Sequence, residues 1–200
     1  MHLPFSPGLQ NDDRVIMTLK NLEGKEVIVT VKMDGENSNL YPDGFHARSL
    51  DSRHHPSRDW LKRFHGGIAY MIPKGWRICG ENMYAKHSIY YDNLESYFYG
   101  FSLWDDRNIS LSVDETDSWF DDLRIVQPKR LYRGIFDVKV LQEIAASLDP
   151  IKDEGFVVRV TGEIPFDEFH LKVAKYVRKG HVQTDEHWMT QAIVPNKLKE

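Results

Sequence analysis

A lysine at the end of a strand-like run, followed at once by a carboxylate, a glycine and an amide, is a combination that can do covalent phosphate chemistry. In VTVKMDGENSN, Val29 to Asn39, Lys32 offers an amine, Asp34 and Asn37 offer oxygen to a hydrated magnesium ion, and Gly35 permits close backbone approach. An amine attacks phosphorus only when neutral, and a free lysine pKa of about 10.4 makes that form scarce at pH 7. The reading therefore expects a site that lowers it, by burial, by a metal ion, or by further cations such as Lys172 and Lys175. The alternative is an exposed lysine before a type I turn, and KxDG alone does not separate the two.

The elements that must position these residues read as α+β. EVIVTVKM, rich in β-branched residues, is expected as a strand that ends at the lysine, and LYPDGFHARS as a hairpin turning at PDG. Ser57 is expected to cap a helix through Trp60, Leu61, Phe64 and Ile68, ended by Pro73 and Gly75. GWRICGE and ESYFYGFSLWD read as central strands, DETDSWFDDL and DVKVLQEIAASL as helices, and EGFVVRV and FHLKVAKYV as strands again. TDEHWMTQAIV reads as a closing helix capped by Thr184 or Asp185. There is no repeat, low-complexity tract or dividing linker.

Composition bounds the function classes. One cysteine, Cys79, allows neither an internal disulfide nor a multi-cysteine zinc site, and no signal peptide or membrane-length apolar run is present. A soluble, cytoplasmic protein with no membrane and no disulfide partner is expected. The formal charge is -4, yet basic residues gather in RHHPSRDWLKRFH, PKRLYRG and KVAKYVRKGH. Interleaved with Trp60, Phe64, Tyr132 and Tyr176, they suit a surface that neutralises phosphates and stacks bases, or simply form solvated faces.

The order of the remaining motifs adds to KMDGEN, which resembles motif I of the covalent nucleotidyltransferase superfamily of ATP-dependent DNA and RNA ligases and mRNA capping enzymes. HARSLDS places Arg48 where motif Ia falls, RICGENMYAKHS resembles motif III, YFYGFSLWD motif IIIa, DEGFVVRV motif IV and HLKVAKYVR motif V. The resemblance implies Lys32 as the nucleophile that carries AMP, and Glu81 as the grip on the ribose hydroxyls. It implies Phe101, or Phe98, as the ring on the purine, Glu154 near the metal with Asp34 and Asn37, and Lys172 and Lys175 at the α-phosphate. Three residues apart in a regular strand, Phe98 and Phe101 face opposite ways, so only one can meet the purine unless a bulge intervenes. Motif V departs from the KxK of many ligases, because Val173 and Ala174 separate the lysines. Val31 stands where nick-sealing RNA ligases often have an acidic residue.

Asn37 and the stretches ARSLDSRHH and VAKYVRKGHVQTDEHW are similar to small RNA ligase family proteins. The implied fold is mostly antiparallel sheets flanked by helices with the nucleotide between them. It would form one adenylyltransferase domain over 1–200 with motifs I to V inside 32–178, and no OB or separate C-terminal nucleic-acid-binding domain. The implied reaction uses ATP and Mg2+ or Mn2+ to join a 3'-hydroxyl to a 5'-phosphate of RNA, as ends or a nicked duplex, with DNA also possible. The competing readings are a DNA ligase, a capping guanylyltransferase, a nucleotide- or RNA-end-binding module without turnover, and a metal hydrolase built on His54, His55 and His65.

Overall fold

The β-branched run Glu26–Lys32 forms strand β1, in which Val27 and Val29 point into one core while Ile28 is buried on the other side. Apolar residues on both faces suit a strand inside a sheet. The computed structural model describes residues 1–9, 13–48, 54–180 and 192–200. Within it, β2 (Glu36–Tyr41) and β3 (Gly44–Ala47) form the hairpin expected at Pro42 and Asp43. The strands β4 (Arg77–Asn82) and β5 (Phe98–Trp104) follow, then the short β6 (Ile109–Ser110) and β7 (Arg130–Ile135). Last come β8 (Gly155–Val160), β9 (Ile164–Pro165) and β10 (Val173–Val177). The helices are α1 (Asp59–Ile68), α2 (Val113–Leu123), α3 (Val138–Ser147) and the single turn α4 (Phe169–Lys172).

The strands make two antiparallel sheets, ordered β10-β8-β1-β7 and β3-β2-β4-β5-β6-β9. One face of the first sheet packs Val27, Val29, Phe156, Val158 and Ala174 against Leu141 of α3. One face of the second packs Leu40, Ile78, Phe98 and Leu103 against Leu61 and Ile68 of α1 and Phe120 and Leu123 of α2. The opposite faces look towards each other. Buried Arg159 of β8 spans between them, donating to the Leu111 carbonyl at 3.0 Å and to Ser110 Oγ of β6 at 3.4 Å. The chain crosses from the first sheet to the second within Met33–Gly35, so the nucleophile candidate sits where the two sheets part.

Local chemistry explains most of the boundaries. Ser112 and Glu115 form a reciprocal capping box on α2, and Asp137 caps α3 by accepting from the Lys139 amide. Ser57 does not cap α1: it lies in a 3-10 turn over Pro56–Arg58, whose cap is the His55 ring, and Arg58 occupies the position before α1. FHLK is a helical turn, with strand character beginning only at Val173. The edge of β10 is covered by the first residues of the chain: Leu3 N donates to the Lys175 carbonyl at 2.8 Å and Lys175 N to the Met1 carbonyl at 2.9 Å. The expected helix over TDEHWMTQAIV lies outside the described residues. Among the described residues no helix is long and apolar enough to cross a membrane.

Candidate functional site

Strand register brings the site together. Lys32 is the last residue of β1 and pairs with Gly155, the first of β8, which sets the preceding Glu154 beside it. Lys32 Nζ donates to Glu154 Oε2 at 2.7 Å, with the carboxylate side chain only 7% exposed. Gly155 is required by close approach, since a Cβ there would fall 1.9 Å from the Tyr176 carbonyl of β10. In the second sheet Asn37 of β2 pairs directly with Glu81 of β4, so the two share the face turned away from the α1–α2 core.

The turn between the sheets is held from outside. Asp34 Oδ2 accepts the amides of Ser88 and Ile89, both at 2.8 Å, and the Asp34 amide donates to Tyr91 Oη at 3.2 Å. Asp34 is thus a turn anchor as well as a carboxylate near Lys32. Gly35 serves close approach, as the sequence suggested: a Cβ would lie 2.6 Å from Met83 Sδ and 2.7 Å from the Asn82 carbonyl.

A β-bulge falls at the second of the two phenylalanines. Gly80 pairs with Gly100 and Cys79 with Ser102, which leaves Phe101 as the extra residue. Gly100 faces α2, for a Cβ on it would meet Phe120 and Ile125, so Phe101 turns to the other side, the side of Glu81. Phe98 is fully buried against Phe64 in the α1 core, whereas Phe101 is half-buried. Phe101, unlike Phe98, is thus left outside the α1–α2 core.

The electrostatics correct one expectation. Burial does push Lys32 down, but Glu154, Glu81 and Asp34 outweigh it and hold its pKa above the ordinary lysine value. The cations named as helpers are engaged elsewhere: Lys172, at the end of α4, pairs with Glu168, and Lys175 lies 3.5 Å from Asp13. Lys175 does lie on the Lys32 face of the sheet, by the register Lys175–Val157–Thr30, while Lys172 precedes the strand. Arg178 donates Nε to the Asp153 carbonyl at 2.6 Å, and its buried Nη2 has no partner among the described residues. Arg48 follows β3, exposed, one position beyond the Ala47–Ser38 pair and so beside Asn37.

Glu81 is shifted upward too, with burial as the main cause. Burial drives its pKa up to about 8, with Glu154, Asp34 and Glu36 adding to this and Lys32 opposing it. The folded chain thus keeps a proton that the unfolded chain releases above about 4.5. That contribution to stability is complete below pH 4.5 and is lost as pH rises towards 8. Glu81→Gln is expected to flatten this fall, so that urea midpoints at pH 5 and pH 9 lie closer together than in the wild type. Parallel pH profiles for the two proteins would sink it.

Several contacts were not visible in the sequence. Arg58 and Glu36, both buried, form a two-pronged ion pair behind the turn. The basic clusters are also less available than their composition suggested. Arg130 is paired with Asp117, and Arg133 with Asp114 and Glu26. The histidines have separate tasks: His54 meets Asp59, His55 meets Ser57, and His65 meets the Tyr41 carbonyl. Among the described residues no three of His, Cys, Asp and Glu form a ready-made metal cage. The hard oxygens of Glu154, Asp34 and Asn37 are of the kind a magnesium-type ion takes when it keeps most of its ligands as water and phosphate.

Two antiparallel sheets parted by a lysine among carboxylates define a nucleotidyltransferase fold of the ligase adenylation type. Solved structures share it. Naegleria gruberi RNA ligase with PPi superposes with a TM-score of 0.60 at 22% identity, over 82% of this chain and 52% of that one. A mutant of the same ligase with ATP and Mn gives 0.59 at 20%, with the same coverage. An archaeal ATP-dependent RNA ligase gives 0.59 at 18%, over 86% of this chain and 48% of that one. The chain spans about half the length of these proteins. No curated protein matches it. Residues 25–177 match the RNA ligase family, and the chain belongs to that family.

Proposed function

We propose that the chain is an ATP-dependent RNA ligase in which residues 25–177 act as the adenylyltransferase unit. The observation that carries this is Lys32 Nζ held 2.7 Å from Glu154 at the parting of the two sheets, with Glu81 and Phe101 on the facing surface. Lys32 attacks the α-phosphorus of ATP: a nitrogen–phosphorus bond forms, the bond to pyrophosphate breaks, and the proton leaves along the existing hydrogen bond to Glu154. Glu81 takes the ribose hydroxyls and Phe101 the purine face. Lys175, released from Asp13, and the unpartnered Arg178 Nη2 meet phosphate oxygens, with Arg48 at the rim and Lys172 further out. AMP then passes to a 5'-phosphate of RNA, and a 3'-hydroxyl displaces it to seal ends or a nick.

A magnesium or manganese ion, held by Glu154, Asp34 and Asn37, would neutralise charge on the triphosphate. The solved relatives that hold ATP and Mn, and PPi, support this choice of nucleotide and metal. ATP and RNA as substrates suit a cytoplasmic protein. The test is intact mass under denaturing conditions after incubation with magnesium and either ATP or GTP. One covalent AMP is expected with ATP and no adduct with GTP. A GMP adduct would move the protein to capping chemistry, and no adduct with either would overturn the reading. Nicked duplexes with RNA or DNA at the 3'-hydroxyl side then separate RNA from DNA ligase, with the RNA nick expected to seal faster.

A further inference from the structure

Between β4 and β5 the chain runs from Met83 to Tyr97 with no helix or strand of its own, making only isolated bridges to the 192–200 segment, Ala85 with Pro195 and Leu94 with Leu198. One side of this loop grips the nucleophile turn through the Ser88 and Ile89 amides and Tyr91 Oη. Its other side is bound by residues far away in sequence. Buried Asn196 is the centre of that contact: Nδ2 donates to the Met83 carbonyl at 2.7 Å, and Oδ1 accepts the Tyr91 amide at 2.9 Å. The Asn196 amide donates to the Tyr84 carbonyl, also at 2.9 Å, and its carbonyl accepts from Tyr97 Oη at 2.9 Å. The Lys197 amide then donates to the Tyr91 carbonyl at 2.9 Å. Both backbone groups of Tyr91 are therefore fixed by the 196–197 pair, and its side-chain oxygen is fixed on the Asp34 amide.

An asparagine suits this place because one carboxamide donates and accepts at once; alanine, leucine or aspartate would leave a buried backbone group of the loop without its partner. A phenol suits the other because its hydroxyl reaches the Asp34 amide while its ring packs with Met83, Leu94 and Tyr99.

We infer that Tyr91, set by Asn196, is a positioning residue for nucleotide transfer to Lys32, holding the Asp34 turn so that the lysine amine meets phosphorus in line. This rests on the reading of Lys32 as a nucleophile. Displacements of about 1 Å far from the reacting atoms cost large factors in rate while leaving binding little changed, which gives the inference a kinetic signature.

The experiment follows adduct formation by the full chain with magnesium and varied ATP, by intact mass, beside thermal melts. Tyr91→Phe keeps the ring and removes only the oxygen. It is expected to lower the maximal rate of adduct formation about tenfold, with half-saturating ATP within about twofold of wild type and a melting temperature within about 2 °C. Asn196→Ala is expected to slow the same step, and the double variant to be no slower than Asn196→Ala alone, since the two act through one contact. Tyr91→Phe at the wild-type rate, or additive losses in the double variant, would overturn the inference while leaving Lys32 as the nucleophile. Wild-type protein that forms no adduct overturns the lysyl reading itself.

Discussion

Lys32→Ala is expected to carry no nucleotide after incubation with ATP and magnesium, and Lys32→Arg to carry none either. The two variants fail for different reasons. Alanine removes the amine and also the cation that Glu154 and Glu81 face, so the protein should lose roughly 1–3 kcal/mol by the cost of leaving buried carboxylate oxygens without that partner. Part of this loss is recovered at low pH, where the carboxylates take up protons. Arginine keeps the positive charge and the pairing but stays protonated at any pH the protein survives, so it cannot attack phosphorus. Intact mass separates nucleophile from bystander, and urea melts separate either from misfolding. An adduct on either variant, at another lysine such as Lys175, would remove Lys32 from the centre of the reaction. A stable Lys32→Arg without adduct excludes the objection that alanine merely unfolded the site.

The site was legible wherever local pattern and register coincide. Lys32, Glu81 and Glu154 each sit at or next to an end of a strand that the sequence signals strongly, so antiparallel pairing had little choice but to bring them close. Alternation along the strand already set Phe98 and Phe101 on opposite faces, while the bulge at Gly100–Ser102, which two facing glycines permit, was not announced. The state of Lys32 was read in the wrong direction. The sequence offered Lys172 and Lys175 as cations to depress its pKa, yet Glu168 and Asp13 hold them, and the nearest charges are carboxylates. β7 was invisible as a strand because Arg130–Ile135 lies at a sheet edge with little buried surface, and its place is fixed by pairing with β1 rather than by its own residues. The same limit hid Tyr91 and Asn196, which meet across 105 positions through backbone groups that leave no pattern in side-chain types.

The Arg58–Glu36 pair shows how a contact of no direct chemical use can still govern the site. Glu36 opens β2 immediately after Gly35, and its side chain points into the α1 side of the sheet, where Arg58 meets both carboxylate oxygens and Asn82 Nδ2 ties the same turn through the Ser57 carbonyl at 3.2 Å. The Arg58 pKa is held up by the bond to Glu36, so the guanidinium remains charged. With Arg58 7% and Glu36 8% exposed, removing one partner strands a desolvated charge, which typically costs ~3–5 kcal/mol. Arg58→Met and Glu36→Leu should each lower stability by about that amount, whereas the double variant should lose far less than the sum, because no unpaired charge is left behind. Urea unfolding of the four proteins measures the coupling. Additive losses would mean that water already reaches the pair. Because Glu36 is one peptide from Gly35, Arg58→Met should also slow nucleotide transfer to Lys32 under conditions where the variant is fully folded, and the double variant should regain stability before it regains that rate.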